Sequence, residues 1–144
     1  MNDVLLAIHS FLRWAIILLL LVNIIRLLGG RRNLALSKWL MISAHTTLVI
    51  GLYQYYFSPN VGLKGLLERM GSFSAIMKDS FARYWAVEHI SGMILAIVLI
   101  TIGHISLKKG GTARKTAIFY IIALIVILAM APWPFRALIG RPWI

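Results

Sequence analysis

Residues 4–28 read VLLAIHSFLRWAIILLLLVNIIRLL, an apolar run interrupted in its first half by His9 and Arg13. About 20 mainly apolar residues are enough for a helix to cross the hydrocarbon core of a bilayer. Three further runs approach or reach this length, at residues 39–57, 84–107 and 117–133. A soluble protein of 144 residues could not cover four such helices, so the sequence predicts four transmembrane helices.

The composition points to the same class of protein. The chain is 60% hydrophobic and 13% charged, with a mean hydropathy of +0.86, whereas soluble domains are about half apolar and roughly a quarter charged. It contains no cysteine, which excludes disulfides, thiolate metal sites and covalently attached haem. The net charge is +11, but the bases cluster at the ends of apolar runs, so nucleic acid is not an expected partner.

The links between the runs predict how the helices are arranged. Residues 29–38 and 108–116 form two short links, and each requires its two helices to be antiparallel neighbours. The predicted fold class is therefore all-α: a single-domain, four-helix transmembrane bundle of up-down-up-down topology over residues 1–144. In the longer link, residues 58–83, apolar side chains recur at helical spacing from Leu63 and again from Phe73. This spacing predicts amphipathic interfacial segments, which are compatible with an ordered cap on the bundle.

The basic residues predict the orientation of the bundle. The two short links and the adjoining helix ends hold eight bases and no acid, whereas the other side holds six bases together with Asp3, Glu68 and Asp79. Loops rich in Lys and Arg tend to stay in the cytoplasm. We therefore expect a multi-pass protein of the bacterial inner (cytoplasmic) membrane, with both termini and the long link on the periplasmic side.

Four histidines fall inside or at the ends of the apolar runs, at His9, His45, His89 and His104. A polar ring is costly in hydrocarbon and is kept there when it has a partner, and imidazole is a standard axial ligand of haem iron. Counted from the span midpoints at about 1.5 Å per residue, His9 and His89 lie at matching depths on the outer side. His45 and His104 lie on the inner side, where their depths differ by roughly two turns.

The third span carries two of these histidines. His89 and His104 are fifteen residues apart, which separates them by about 22 Å along the helix. One span would thus offer an imidazole to each leaflet, so the sequence predicts one haem b and allows a second. Gly92 shares the face of His89, where it either admits a flat macrocycle or serves close helix packing.

Other roles for the histidines stay open. They can instead make only structural hydrogen bonds between helices. Zinc is a weaker alternative because no two histidines have i,i+4 spacing. Copper is also weaker, because the six methionines of an apolar chain mainly serve packing.

Charged residues accompany the outer histidines. Arg13 is one turn below His9, and Glu88 adjoins His89, so we expect a structural ion pair between Arg13 and Glu88. In the competing interpretations, Arg13 neutralises a haem propionate or Glu88 accepts a proton from a quinol. Arg83 is nearer the surface and is the better-placed propionate partner.

Three stretches carry a resemblance to a known family: His9–Trp14 (HSFLRW), Tyr84–His89 (YWAVEH) and the segment from Met93 to His104. They resemble small four-span bacterial membrane proteins of the Bacteroidetes type that are labelled cytochrome b-like. The resemblance covers most of the chain and implies that span histidines ligate haem b, here the four histidines already named. It implies no particular reaction or partner.

The sequence therefore predicts a membrane-embedded haem b protein that transfers electrons between a quinone pool and a partner, or that anchors a redox complex in the bilayer. Such a chain is a carrier or a subunit rather than a stand-alone enzyme. The alternative is a cofactor-free accessory or assembly subunit, which docks a larger membrane complex through the outer link and the Pro132-Trp133-Pro134 end. A third hypothesis is a small conduit for metal ions or protons that uses Arg13, Glu88 and the histidines.

Overall fold

The computed structural model describes residues 2–31, 33–57 and 63–130, and the regular secondary structure in these ranges is helical. In chain order the elements are α1 (Asn2–Leu28), α2 (Leu34–Phe57), α3 (Leu63–Met70), α4 (Phe73–Lys78), α5 (Ser80–Arg83), a π-helical turn (Tyr84–Glu88), α6 (His89–Lys108) and α7 (Ala113–Met130).

Four of these segments are long and apolar enough to cross a membrane: Ala7–Leu28, Leu34–Phe57, Tyr84–Lys108 and Ala113–Met130. The predicted all-α, four-helix bundle is confirmed. The second and fourth spans begin earlier than hydropathy suggests, because polar residues such as Lys38 and Lys115 lie within their first five positions. Residues 131–133 of the predicted fourth span, and the Pro132-Trp133-Pro134 end, lie outside the described residues.

The two short connections use the same local chemistry. Gly30 adopts a φ of 79°, and the amides of Gly30 and Arg31 donate to carbonyls in the last turn of α1, at 3.0 and 2.9 Å. The side chain of Asn33 then accepts the Leu36 amide at 3.1 Å and starts α2. Gly110, with a φ of 88°, and the capping side chain of Thr112 repeat this arrangement between α6 and α7. A left-handed glycine ends each helix and a cap begins the next, so tight antiparallel turns result.

The four long helices form a ring in the order α1–α2–α6–α7, and each packs against its two neighbours. Consequently α1 lies diagonally opposite α6, and α2 lies diagonally opposite α7. The middle of the bundle is filled by apolar side chains such as Leu20, Leu40 and Ile100, which have no exposed surface. We call the end that carries residues 29–31 and 109–112 the short-loop end, and the opposite end the long-loop end.

The short helices α3 to α5 cover the long-loop end. Leu66 and Ile76 pack with Ala82 and Ala86 in a small second core. The predicted second amphipathic segment is divided at Asp79, whose extended backbone (φ −102°, ψ 120°) separates α4 from α5. Large apolar side chains on the exposed side of this cap include Leu67, Phe73 and Met77. An amphipathic, cap-forming link is therefore present.

Candidate functional site

His89 is held in one orientation at the long-loop end. Its Nδ1 lies 3.1 Å from the carbonyl oxygen of Met130, and the hydroxyl of Tyr84 donates to the same oxygen at 2.5 Å. A carbonyl oxygen can only accept, so Nδ1 of the His89 ring carries a proton. The rings of Tyr84 and Trp85 pack beside the imidazole, with centroids 5.6 and 5.5 Å away.

The π-helical turn Tyr84–Glu88 places His89 in this position. Its backbone is wound more widely than an α-helix, and the amide of His89 donates to the carbonyl of Tyr84, five residues earlier. The hydroxyl of Tyr55 in α2 donates to the carbonyl of Ala86 within this turn, at 2.6 Å. Single π-helical turns inside α-helices are frequent at functional sites. The turn thus marks the start of α6 as a candidate site.

His9 lies at the same level of the bundle as His89. Its Nε2 is 3.4 Å from the position that a Cβ on Gly51 of α2 would occupy. The hydrogen bond between Tyr55 and Ala86 places these two residues at a similar level on α2 and α6. Gly51 lies one turn deeper than Tyr55 on α2. His89 lies three residues deeper than Ala86, because α6 packs antiparallel to α2. At about 1.5 Å per residue, His9 and His89 therefore occupy one layer on diagonally opposite helices.

The expected ion pair between Arg13 and Glu88 is not formed, because Glu88 pairs with Arg83. Glu88 Oε1 lies 3.7 Å from Arg83 Nε, and these side chains are 43% and 39% exposed. The π-helical winding brings residues five apart onto one side of the turn, which explains this choice. Arg83 also donates to the carbonyl of Met77 at 3.1 Å. The Cζ of Arg13 instead lies 5.5 Å from the centroid of the Trp14 ring.

Gly92 serves close packing between helices. A Cβ at this position would collide with the side chain of Met130 on α7, which covers the glycine. Further along the same face, a Cβ on Gly103 would lie 2.8 Å from Cε1 of Tyr120. Small residues on α6 thus allow α7 to approach closely, as is usual between transmembrane helices.

A second polar cluster, which the sequence analysis did not find, lies at the short-loop end. The Oγ of Ser37 is 2.7 Å from Nδ1 of His104 and 2.5 Å from the hydroxyl of Tyr120. Ser37 and Tyr120 have no exposed surface and His104 is 7% exposed. The Ser37–Tyr120 bond joins diagonally opposite helices across the bundle axis. We call these three residues the inner triad.

Two more buried polar side chains accompany the inner triad. Asn23 of α1 donates to the carbonyls of Leu19 and Leu36, at 2.7 and 3.3 Å, and so ties α1 to α2. Thr116 of α7 donates to the carbonyl of Gly103 at 3.0 Å. All four spans therefore contribute a buried polar residue to this end. In the sequence, Asn23 is an isolated polar residue inside the first apolar run, whereas Ser37 and Thr116 lie just before the second and fourth runs.

His45 does not share the surroundings of His104. The side chain of His45 is exposed, and its Nε2 lies 2.9 Å from Oγ1 of Thr101 on α6. His104 is enclosed one turn further along α6, where it contacts Ser37. Ser37 and His45 are eight residues apart on α2, or about 12 Å along the helix. The structure therefore does not bring the two inner histidines together.

The donor chemistry at the long-loop end fits a haem. In residues 2–31, 33–57 and 63–130, no three His, Asp or Glu side chains are close enough to hold a metal ion together. A haem iron requires only two axial protein ligands, because the macrocycle supplies the other four donors. Ligating histidines usually donate their second ring nitrogen to a carbonyl or a carboxylate, and His89 makes such a bond to Met130.

No protein-family model, curated protein or solved structure matches this chain. The resemblance to small cytochrome b-like proteins therefore stays a prediction from the residues.

Proposed function

We propose that the chain is a haem b-binding electron-transfer protein of the membrane, working alone or as the membrane anchor of a redox complex. The observation that supports this most directly is the ring of His89, whose Nδ1 donates to the Met130 carbonyl, as metal-ligating histidines commonly do with their second ring nitrogen. His9, at the same level on the opposite helix, is the proposed second ligand. A haem bound there would supply one-electron transfer at the long-loop end.

The neighbouring residues have supporting roles in this proposal. Gly51 lies beside His9, and Gly92 lies beside the side chain of Met130. In this proposal the flexible Met130 side chain moves aside for a flat ring. Arg13, within the bundle, balances negative charge on the propionates. Arg83 does so nearer the surface, and Glu88 holds the Arg83 guanidinium in place.

We propose one haem rather than two. His104 is buried in the inner triad, whereas His45 is exposed on the outside of the bundle, so the two rings do not share one site. These two rings have different surroundings and different levels, whereas His9 and His89 share one layer. The residues at the short-loop end therefore fit a structural role better than axial ligation.

The decisive measurement is a reduced-minus-oxidised absorption spectrum of protein purified from haem-replete cells. The proposal expects the sharp α band of bis-histidine haem b at one haem per chain. The variants His9→Ala and His89→Ala are expected to lose this band. His104→Gln, a change at the structural triad, is expected to keep it in full. A colourless protein, or an unchanged spectrum in His89→Ala, would contradict the proposal.

The second candidate is a cofactor-free subunit of a larger membrane complex. It is favoured by a core that the protein's own side chains fill, including Met130 against Gly92 and the self-satisfied inner triad. In this case the same purification yields a colourless, folded protein. Helical circular dichroism together with the missing band separates this outcome from a misfolded haem protein.

We also propose that the short-loop end faces the cytoplasm of a bacterium, with both termini on the periplasmic side. The support is the excess of Lys and Arg in the two short links, which contain no acid.

A further inference from the structure

His45 is a polar ring at the middle of a membrane span. It is one of the two central residues of α2 (Leu34–Phe57), and its side chain is exposed on the outside of the bundle. The α2 span is also the least buried of the four. A polar group in this position is costly in hydrocarbon, and polar residues kept inside membranes are commonly functional.

The hydrogen bond to α6 fixes the tautomer of His45. The Oγ1 of Thr101 donates its single proton to the carbonyl of Ile97 at 2.8 Å. It can therefore only accept at the 2.9 Å contact with Nε2 of His45, so the ring proton is on Nε2. The lone pair is then on Nδ1, which makes no hydrogen bond to another described residue.

Among the described residues, those that flank His45 and Thr101 on the exposed faces of α2 and α6 are aliphatic. Ile42 and Val49, one turn to either side on α2, are exposed and aliphatic. Val98 and Ile102, which flank Thr101 on α6, are also exposed and aliphatic. Hydrocarbon chains have no hydrogen-bond donor, and the centre of a bilayer holds no water to replace one. A partner for Nδ1 must therefore be apolar, reach this depth through the lipid and carry an N–H or O–H group.

We propose that Nδ1 of His45 is a binding site for the hydroxyl group of a lipid-dissolved hydroquinone. A hydroquinone combines an apolar ring with two O–H donors, whereas the oxidised quinone has only acceptors. The fixed tautomer of His45 thus selects the reduced form. The inference rests on the proposed electron-transfer function in one respect: it names His45 as a binding site for the quinone partner. It concerns binding alone, with no electron transfer, and does not require haem.

The test is nitrogen NMR of histidine-labelled protein in lipid nanodiscs, with decyl-hydroquinone and its oxidised form as the two probes. We expect decyl-hydroquinone to shift the Nδ1 resonance of His45 and to bind roughly tenfold more tightly than the quinone. Tenfold is the ratio given by one hydrogen bond of about 1.4 kcal/mol. Equal binding of the two forms, or no shift at His45, would overturn the inference.

Three variants sharpen the test. His45→Phe keeps a ring of similar shape and removes the acceptor, so the preference for hydroquinone should disappear. Thr101→Val removes the acceptor that keeps the ring proton of His45 on Nε2, so the preference for hydroquinone should fall while some binding remains. Thr46→Val changes the adjacent exposed residue, whose hydroxyl donates to its own helix at Ile42, and should leave the preference unchanged.

Two further results bear on the inference. If Nδ1 is already hydrogen-bonded without a probe, and this bond weakens as protein is diluted in lipid, a second copy occupies the site and the inference is overturned. A colourless protein that still prefers hydroquinone would contradict the proposed haem function and leave the His45 site standing. The two proposals can therefore fail separately.

Discussion

At the scale of single residues, the small side chain of Ser37 should contribute strongly to stability, because its hydroxyl bonds two buried partners in the inner triad. Ser37→Ala leaves Nδ1 of His104 and the hydroxyl of Tyr120 buried without their shared partner. An unsatisfied buried polar group costs about 1–3 kcal/mol, so the free energy of unfolding should fall by roughly this amount. Reversible unfolding in bicelles measures the change. Thr46→Ala, on the exposed face of the same helix, is the matched control and should cost less than about 0.5 kcal/mol.

The sequence identifies residues at one end of the bundle better than at the other. Counting residues from the span midpoints places His9 and His89 at one level, because each lies near the end of a span whose limits are clear. It fails at the short-loop end, because hydropathy omits Ser37 from the second span and does not distinguish Tyr120 from the other residues of the fourth span. A hydrogen bond that crosses the bundle depends on how each helix is rotated, and nearly uniform apolar helices carry little information about rotation.

At the scale of helices, the contact between α6 and α7 depends on glycine. A Cβ on Gly103 would lie 2.8 Å from Cε1 of Tyr120 and 3.2 Å from Cβ of Phe119. Gly103→Ala should therefore push the helices apart and lower stability by about 1–3 kcal/mol, as overpacking usually does. Gly29→Ala is the control, because its Cβ would meet its nearest atom at an ordinary 3.5 Å. Equal thermal unfolding temperatures for the two variants would contradict this account.

The π-helical turn is the element that the sequence does not reveal. The run 84–107 is predicted as one span, and nothing in its hydropathy separates residues 84–88 from an ordinary helix. The wider winding is accompanied by contacts to other helices, namely the Tyr55 bond to Ala86 and the Tyr84 bond to Met130. Such tertiary contacts override local propensity and have no signature in a single sequence.

Removal of one such contact should loosen the turn. Tyr55→Phe deletes the donor to the Ala86 carbonyl while it keeps the ring. One hydrogen bond contributes about 1 kcal/mol, so amide exchange in residues 86–90 should accelerate by roughly fivefold. Tyr53→Phe is the control, since Tyr53 is exposed and its ring packs on Phe57 of the same helix. The same acceleration in both variants would show that Tyr55 does not hold the turn.

At the scale of the whole molecule, the distribution of charge predicts how the bundle sits in its membrane. The chain has no cysteine, so single cysteines introduced at the two ends can be labelled without background. Gly29→Cys at the short-loop end and Ser74→Cys in α4 both change exposed, uncharged positions and preserve every basic residue. The excess of bases at the short-loop end should hold Gly29→Cys in the cytoplasm. A membrane-impermeant maleimide added to intact spheroplasts should then label Ser74→Cys alone, and both variants after permeabilisation. Labelling of Gly29→Cys in intact spheroplasts would reverse the orientation and place the proposed haem end, with His9 and His89, on the cytoplasmic side.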